Sequence, residues 1–225
     1  MGRKRTMVAA VVVGATMGLV GCGQGTDGEQ EGDGMMRERT IEAFEDKDPD
    51  LATFAGDKGT RPEPIDAPFV DDWYIFQLSG QHRVTVVAVT KDGEPRGVEL
   101  SGSPQAWDEV VEGVSVTDAQ TAGEVGDAWV RALRPTVGAA RIIDSVDDIK
   151  LTGSRAEETR EELRRDHGDA IGDREVTVSG DDWTLARWMV HDNDLVRLDL
   201  IVHPDATVDS RRTVVQQDLP GPIAL

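Results

Sequence analysis

A single cysteine, Cys22, in 225 residues excludes an intramolecular disulfide and any zinc site built on several thiolates. An ordinary hydrophobic core must therefore hold the fold. Long apolar runs are also missing. The longest, Met7 to Val20, has 14 residues with Thr16 as its only polar side chain, whereas a helix needs about 20 to span a bilayer. No serine lies in G-x-S-x-G, no glycine-rich phosphate loop follows a strand pattern, and the four histidines never fall at the i, i+4 spacing of two zinc ligands on one helix face. These absences argue against the commoner nucleophilic, nucleotide-binding and metal-dependent enzymes.

The chain does have a targeting signal. Arg3, Lys4 and Arg5 precede the apolar run, and the small-residue site Leu19-Val20-Gly21 abuts Cys22. A positive n-region, a short h-region and a small-residue site make a secretory signal. The cysteine at its end resembles the lipobox of bacterial lipoproteins. The resemblance covers residues 1–22 and implies removal of 1–21 as a signal peptide, a diacylglyceryl group on the Cys22 thiol and an acylated new N-terminus, palmitate being one such chain. A cell-membrane location on the extracytoplasmic face would follow. Each buried methylene contributes about 0.8 kcal/mol, so one chain binds marginally and two anchor durably. The plainer alternative is a buried free cysteine in an N-terminal hydrophobic helix.

The formal charge is −19, and loss of the three basic residues at 3–5 takes the chain to about −22. Such a surface repels phosphate backbones and anionic lipid, so nucleic acid is not an expected partner and the membrane is reached through the lipid alone. Residues 23–34, GQGTDGEQEGDG, hold five glycines, four acids and no apolar side chain. With the lipidated Cys22 they read as a flexible tether, 22–34, with a reach of roughly 20 Å.

Residues 35–225 read as one extracytoplasmic α+β domain. Met36, Ile41 and Phe44 mark a short helix, and Asp48-Pro49 starts another through Phe54. A proline-rich loop, KGTRPEPIDAP, leads into WYIFQL (73–78) and RVTVVAVT (83–90), with a turn at 91–94 into GVEL, an antiparallel meander. Thr117 and Gln120 form a capping-box pair for a helix carrying Ala122, Val125, Trp129 and Leu133 at helical spacing. VGAARIIDSVDDIKL is ambiguous between strand and short helix. Ser154 and Glu157 cap a charged helix anchored by Ala156, Leu163 and Ala170. EVTV, WTLARWMV, LVRLDLIV and RTVVQQDL close the chain as strands; in the third, Val196, Leu198, Leu200 and Val202 form the buried face. A shift of one hundred residues lays 79–100 on 179–200 without a gap, making 35–115 and 116–225 candidate halves.

Three groups of residues suggest chemistry, each with a plainer reading. Asp46, Asp48, Asp50 and Asp57 have the spacing of a calcium loop, but Leu51 stands where glycine is needed and Pro49 intrudes, so caps and solvated acids explain them better. His191, Asp192, Asn193 and Asp194 look like metal ligands but read as a hairpin turn. Asp71-Asp72 and Asp181-Asp182 each precede a tryptophan, the setting in which glycosidases place acids beside a sugar platform. Adjacent acids on one loop, however, do not flank a bond from two sides. The stretch DDIKLTGSRAEETREEL resembles the strand and helix of BON domains but lacks their second strand segment.

The expectation is a membrane-anchored lipoprotein with a non-catalytic binding or scaffolding module. It has no catalytic residues, metal or cofactor, Cys22 is its lipid-attachment site, and its partner is an extracytoplasmic protein or small ligand. The alternative is an extracytoplasmic hydrolase using carboxylates near Trp73 or Trp183.

Overall fold

A computed structural model of the chain describes residues 27–133, 140–172 and 175–221. Cys22, the signal stretch and the first residues of the tether lie outside them. The described residues form five helices and two antiparallel sheets, an α+β fold.

Helix α1 (Asp27–Phe44) begins inside the stretch read as tether, so residues 27–34 are helical. Nucleation is the costly step, and extending an existing helix adds one hydrogen bond per residue. Helix α2 (Pro49–Gly56) starts where Asp48-Pro49 indicates, with the Asp48 carboxylate accepting from the Leu51 N–H at 3.0 Å. Asp57 ends this helix and accepts from the Gly59 N–H. Two of the four acids of the calcium-like spacing thus cap or end α2.

The first sheet is a meander in the order β1–β2–β3–β4: β1 (Arg61–Pro64), β2 (Trp73–Ser79), β3 (Val84–Thr90) and β4 (Gly97–Glu99). β1 lies within the segment read as a loop. Its prolines are tolerated because an edge strand needs donors on one side only. β2 and β3 bury both faces, which explains their nearly unbroken apolar runs. Phe76, Leu78, Val87 and Val89 pack under Phe44 and Leu51 of α1 and α2, while Trp73, Ile75, Val86 and Ala88 turn to the opposite core.

Two helices follow. α3 (Pro104–Val110), absent from the sequence reading, is capped by Ser103. It carries the fully buried Trp107, whose indole N–H donates to the Ala206 carbonyl at 3.0 Å. α4 (Ala119–Ala132) is capped by Asp118, which accepts from the Thr121 N–H at 2.9 Å, and not by the expected Thr117–Gln120 box; Gln120 instead bonds Glu124. Ala122, Val125, Ala128, Trp129 and Val130 bury it in a core shared by both sheets.

The second sheet runs β5–β7–β8–β9: β5 (Ala140–Ile143), β7 (Asp182–His191), β8 (Asp194–Val202) and β9 (Val208–Gln216), with β6 (Val176–Ser179) beside the first half of β7. The ambiguous 137–151 segment becomes both β5 and a 3-10 turn at Val146–Asp148. Asp192 and Asn193, with φ of 52° and 68°, make the two-residue β7–β8 turn, as the turn reading of 191–194 expects. Val196, Leu198, Leu200 and Val202 are buried on the inner face. Helix α5 (Ala156–Gly172) uses Thr159, Leu163 and Ile171 as buried positions. Ala156 is half-buried and Ala170 exposed, so of the three expected anchors Leu163 alone is buried.

The hundred-residue shift matches strand with strand but not face with face. Val86 and Ala88 of β3 point into the shared core, whereas the inward residues of β7 are Trp183, Leu185 and Met189. The turns differ as well: Thr90 N–H reaches across to Arg96, while His191 pairs directly with Asp194.

Replacing Trp107 with phenylalanine should keep most of the apolar burial but leave the Ala206 carbonyl without its donor. A loss of about 1–3 kcal/mol is expected in urea unfolding, and of about 3–5 kcal/mol for Trp107→Ala.

Candidate functional site: the outer face of the second sheet

Alternation in β7 and β8 sends Leu185, Met189 and Leu198 inward and Thr184, Ala186, Arg197, Asp199 and Ile201 outward. At one end α5 and the 3-10 turn cover this outer face. There Trp188 and Leu195 pack with Leu163 and Ile171, and the Trp188 indole N–H donates to the Ala170 carbonyl at 2.9 Å. Beyond Trp188 no helix among the described residues covers the sheet. The result is an open groove of about 670 Å³ across β6, β7, β8 and β9.

The groove has an apolar floor and a charged far side. Ala186, Trp188 and Ile201 contribute the apolar surface, and the Thr177 and Thr184 hydroxyls bond each other at 2.7 Å. On the β8–β9 side Asp199 sits between two arginines, 2.8 Å from Arg197 Nε and 3.4 Å from Arg211 Nη2. Glu175 and Asp209 line the groove as well, so its polar side carries charges of both signs. An amphipathic groove of this kind suits a ligand with an apolar body and polar or charged ends.

At the end of the groove His203 lies between two acids. Its Nδ1 is 2.8 Å from Asp182 and its Nε2 3.3 Å from Asp209. The Asp182 hydrogen bond, reinforced by Asp209, raises the imidazole above its ordinary 6.5 against the opposing effect of burial. Both ring nitrogens are engaged by carboxylates, so neither is free to serve a neighbouring hydroxyl as general base. Asp182 thus acts as a partner of His203.

Trp73 and Trp183 are 7% and 9% exposed and belong to the shared core, so neither presents a ring as a platform. Asp71, Asp72 and Asp181 are exposed. Asp72, Asp92, Glu94, Glu109 and Glu112 line one shallow depression beside Trp73, with the Arg96 guanidinium 5.7 Å from the Trp73 ring centre. The carboxyls that depart clearly from their ordinary range all go down. Asp118 and Asp148 are lowered by the backbone N–H groups of Thr121 and Asp144, Asp166 by the Arg165 side chain and Asp205 by the Thr207 hydroxyl. Among the described residues no three acidic, histidine or cysteine side chains are placed to hold a metal ion, and no helix is long and apolar enough to cross a membrane.

Sequence reasoning missed the groove because its far side depends on the β8–β9 register. The signal available was the alternation of Arg197 and Asp199 with buried leucines, which marks an outer face without saying what lies beside it. No protein-family model matches the chain, and neither does any curated protein or solved structure.

Because the folded state holds the His203 proton more tightly than the unfolded chain, its contribution to stability is complete below about pH 6.5 and is lost as pH rises through the raised folded value. Proton NMR should place the His203 midpoint above 6.5 in the wild type and lower in Asp182→Asn, with the variant also losing the corresponding decline of stability with rising pH.

Proposed function

We propose that the protein is a lipoprotein of a bacterial cell envelope, anchored by acyl chains on Cys22, whose folded domain binds an extracytoplasmic ligand or protein through the outer face of the second sheet. The observation that carries the anchor is the order of residues 3–22: three cationic side chains, a 14-residue apolar run too short to span, and a small-residue site ending on the chain's only cysteine. The groove supports a binding role. It offers apolar floor, hydroxyls and arginines on one uncovered face, and its histidine is tied up by two acids. Two acyl chains give durable attachment where one gives a reversible one. The excess of negative charge keeps the domain off anionic lipid, so the groove stays accessible to partners in the surrounding medium.

Full-length protein produced in a bacterial host should incorporate labelled palmitate, fractionate with the membrane and yield an N-terminal peptide that begins at acylated Cys22. Cys22→Ala should abolish the label. Recovery of wild-type protein with residues 1–21 intact and an unmodified Cys22 thiol would remove the anchor from the account.

For the binding face, Ile201→Asp places a charge at a side chain that is 38% exposed. A loss of about 1–2 kcal/mol is expected, because aspartate is a poor strand former and would stand directly opposite Asp209, and the fold should survive it. A deletion strain carrying this folded, anchored variant should nevertheless show the null phenotype, and full complementation would move the binding surface elsewhere.

A further inference from the structure

The first sheet guards its edges: β1 carries two prolines in four residues and β4 is three residues long. β9 is different. It is nine residues long, it is the terminal strand of its sheet, and positions 209–214 are exposed without interruption. Its backbone is also set for further pairing. The His203 N–H donates to the Thr207 carbonyl, and antiparallel alternation then turns residues 209 and 211 towards β8. The N–H and C=O groups of Val208, Ser210 and Arg212 face the open side.

Charged side chains on an edge strand ordinarily block pairing with a second copy. On β9 they block some registers and favour one. In a two-fold antiparallel pair, a residue and its opposite number lie on the same face of the sheet, so only registers that pair odd with odd and even with even are allowed. Centring the axis on Asp209, Arg211 or Arg212 sets that residue against its own copy, and like charges directly opposite are unfavourable. Centring it on Ser210 sets Asp209 of each copy against Arg211 of the other and Val208 against Arg212. No like charges then meet. Asp209 and Arg211 can both reach a second partner: their side chains are 79% and 80% exposed, and a carboxylate or guanidinium has further atoms to offer while the contacts to His203 and Asp199, at 3.3 and 3.4 Å, are kept.

We propose that β9 is a self-association edge at which two copies of this chain pair antiparallel about Ser210, joined by reciprocal Asp209–Arg211 ion pairs and up to about six backbone hydrogen bonds. The second sheets of the two copies then form one continuous sheet. Their outer grooves, each bounded by Asp209 and Arg211, meet across the axis. The paired segment is short, so the dimer is weak and dependent on concentration. Salt that screens the repulsion between two acidic bodies favours it, until the ion pairs themselves are screened.

Residues 209 and 211 of opposing copies occupy a non-hydrogen-bonded pair, where Cα atoms approach to about 4.5 Å, close enough for a disulfide. The test uses the full chain with Cys22→Ala, purified in detergent, carrying either Asp209→Cys or Arg211→Cys. Mild oxidation of an equimolar mixture should give the mixed disulfide well above its statistical share, with each variant alone cross-linking poorly. Sedimentation of the same full chain without new cysteines should show a concentration-dependent dimer that Arg211→Asp abolishes and Asp209→Arg/Arg211→Asp restores. Monomer at every concentration, a statistical disulfide mixture, or efficient cross-linking of either variant with itself would overturn the proposal.

Discussion

Helix α4 is buried on opposite sides, and the arrangement of both sheets depends on that. One side meets β2 and the other meets β6, β7 and β8, so a single fourteen-residue helix joins two meanders that are far apart in sequence. The approach is close. A Cβ on Gly126 would lie 2.6 Å from Cδ1 of Leu185, so glycine at this position sets the depth at which the second sheet can dock. At the next residue of the helix, Asp127 pairs with Arg187, which is only 6% exposed. With the Asp127 side chain still one-third exposed the pair is half-buried, and it adds little net stability because desolvation of Arg187 offsets the attraction. Loss of either partner is costly, however, and the pair discriminates against other registers of β7 on the helix.

The location of the open face follows from this arrangement. The inner faces of both sheets are consumed by α3, α4 and each other, and the outer face of the first sheet is covered by α1 and α2. On the second sheet α5 reaches only as far as Trp188, because its buried stripe is one residue wide: Thr159 and Leu163 lie one turn apart, Ile171 two turns further on, and most of the remaining side chains are charged. Beyond that point the sheet presents side chains directly to solvent. A chain with no disulfide and few aromatics thus closes its core with one central helix and, among the described residues, leaves half a sheet face open.

Local signals in the sequence were legible where one chemical constraint dominated. Asp48-Pro49 marks the start of α2 because a cap and a pre-set φ act together, and β8 shows its inner face because arginine and aspartate alternate with leucine and valine. Where both faces of an element are apolar, the sequence is mute about direction. WTLARWMV does not say that Trp183 and Trp188 point to opposite sides, nor that Arg187 points inward to meet Asp127 sixty residues earlier. α3 went unseen because seven residues carry too little periodicity, although Ser103-Pro104 signalled its first turn. Asp118 displaced the expected Thr117 cap by one position, since the two residues offer the same kind of acceptor and the packing of α4 decides between them. The groove was hidden for a further reason: Asp199 and Arg211 come together only through the pairing of β8 with β9, and a one-residue slip would send Arg211 to the other face.

The account rests on α4 coupling the two sheets into one cooperative body. Native-state hydrogen exchange tests this most directly. Amides in the middle of β3, such as Val87, and in the middle of β7, such as Met189, should exchange through the same global opening, with one shared free energy and one dependence on denaturant, and both should fall together when Gly126→Val forces α4 off the second sheet. Two distinct opening free energies, with the β3 amides indifferent to that substitution, would contradict it.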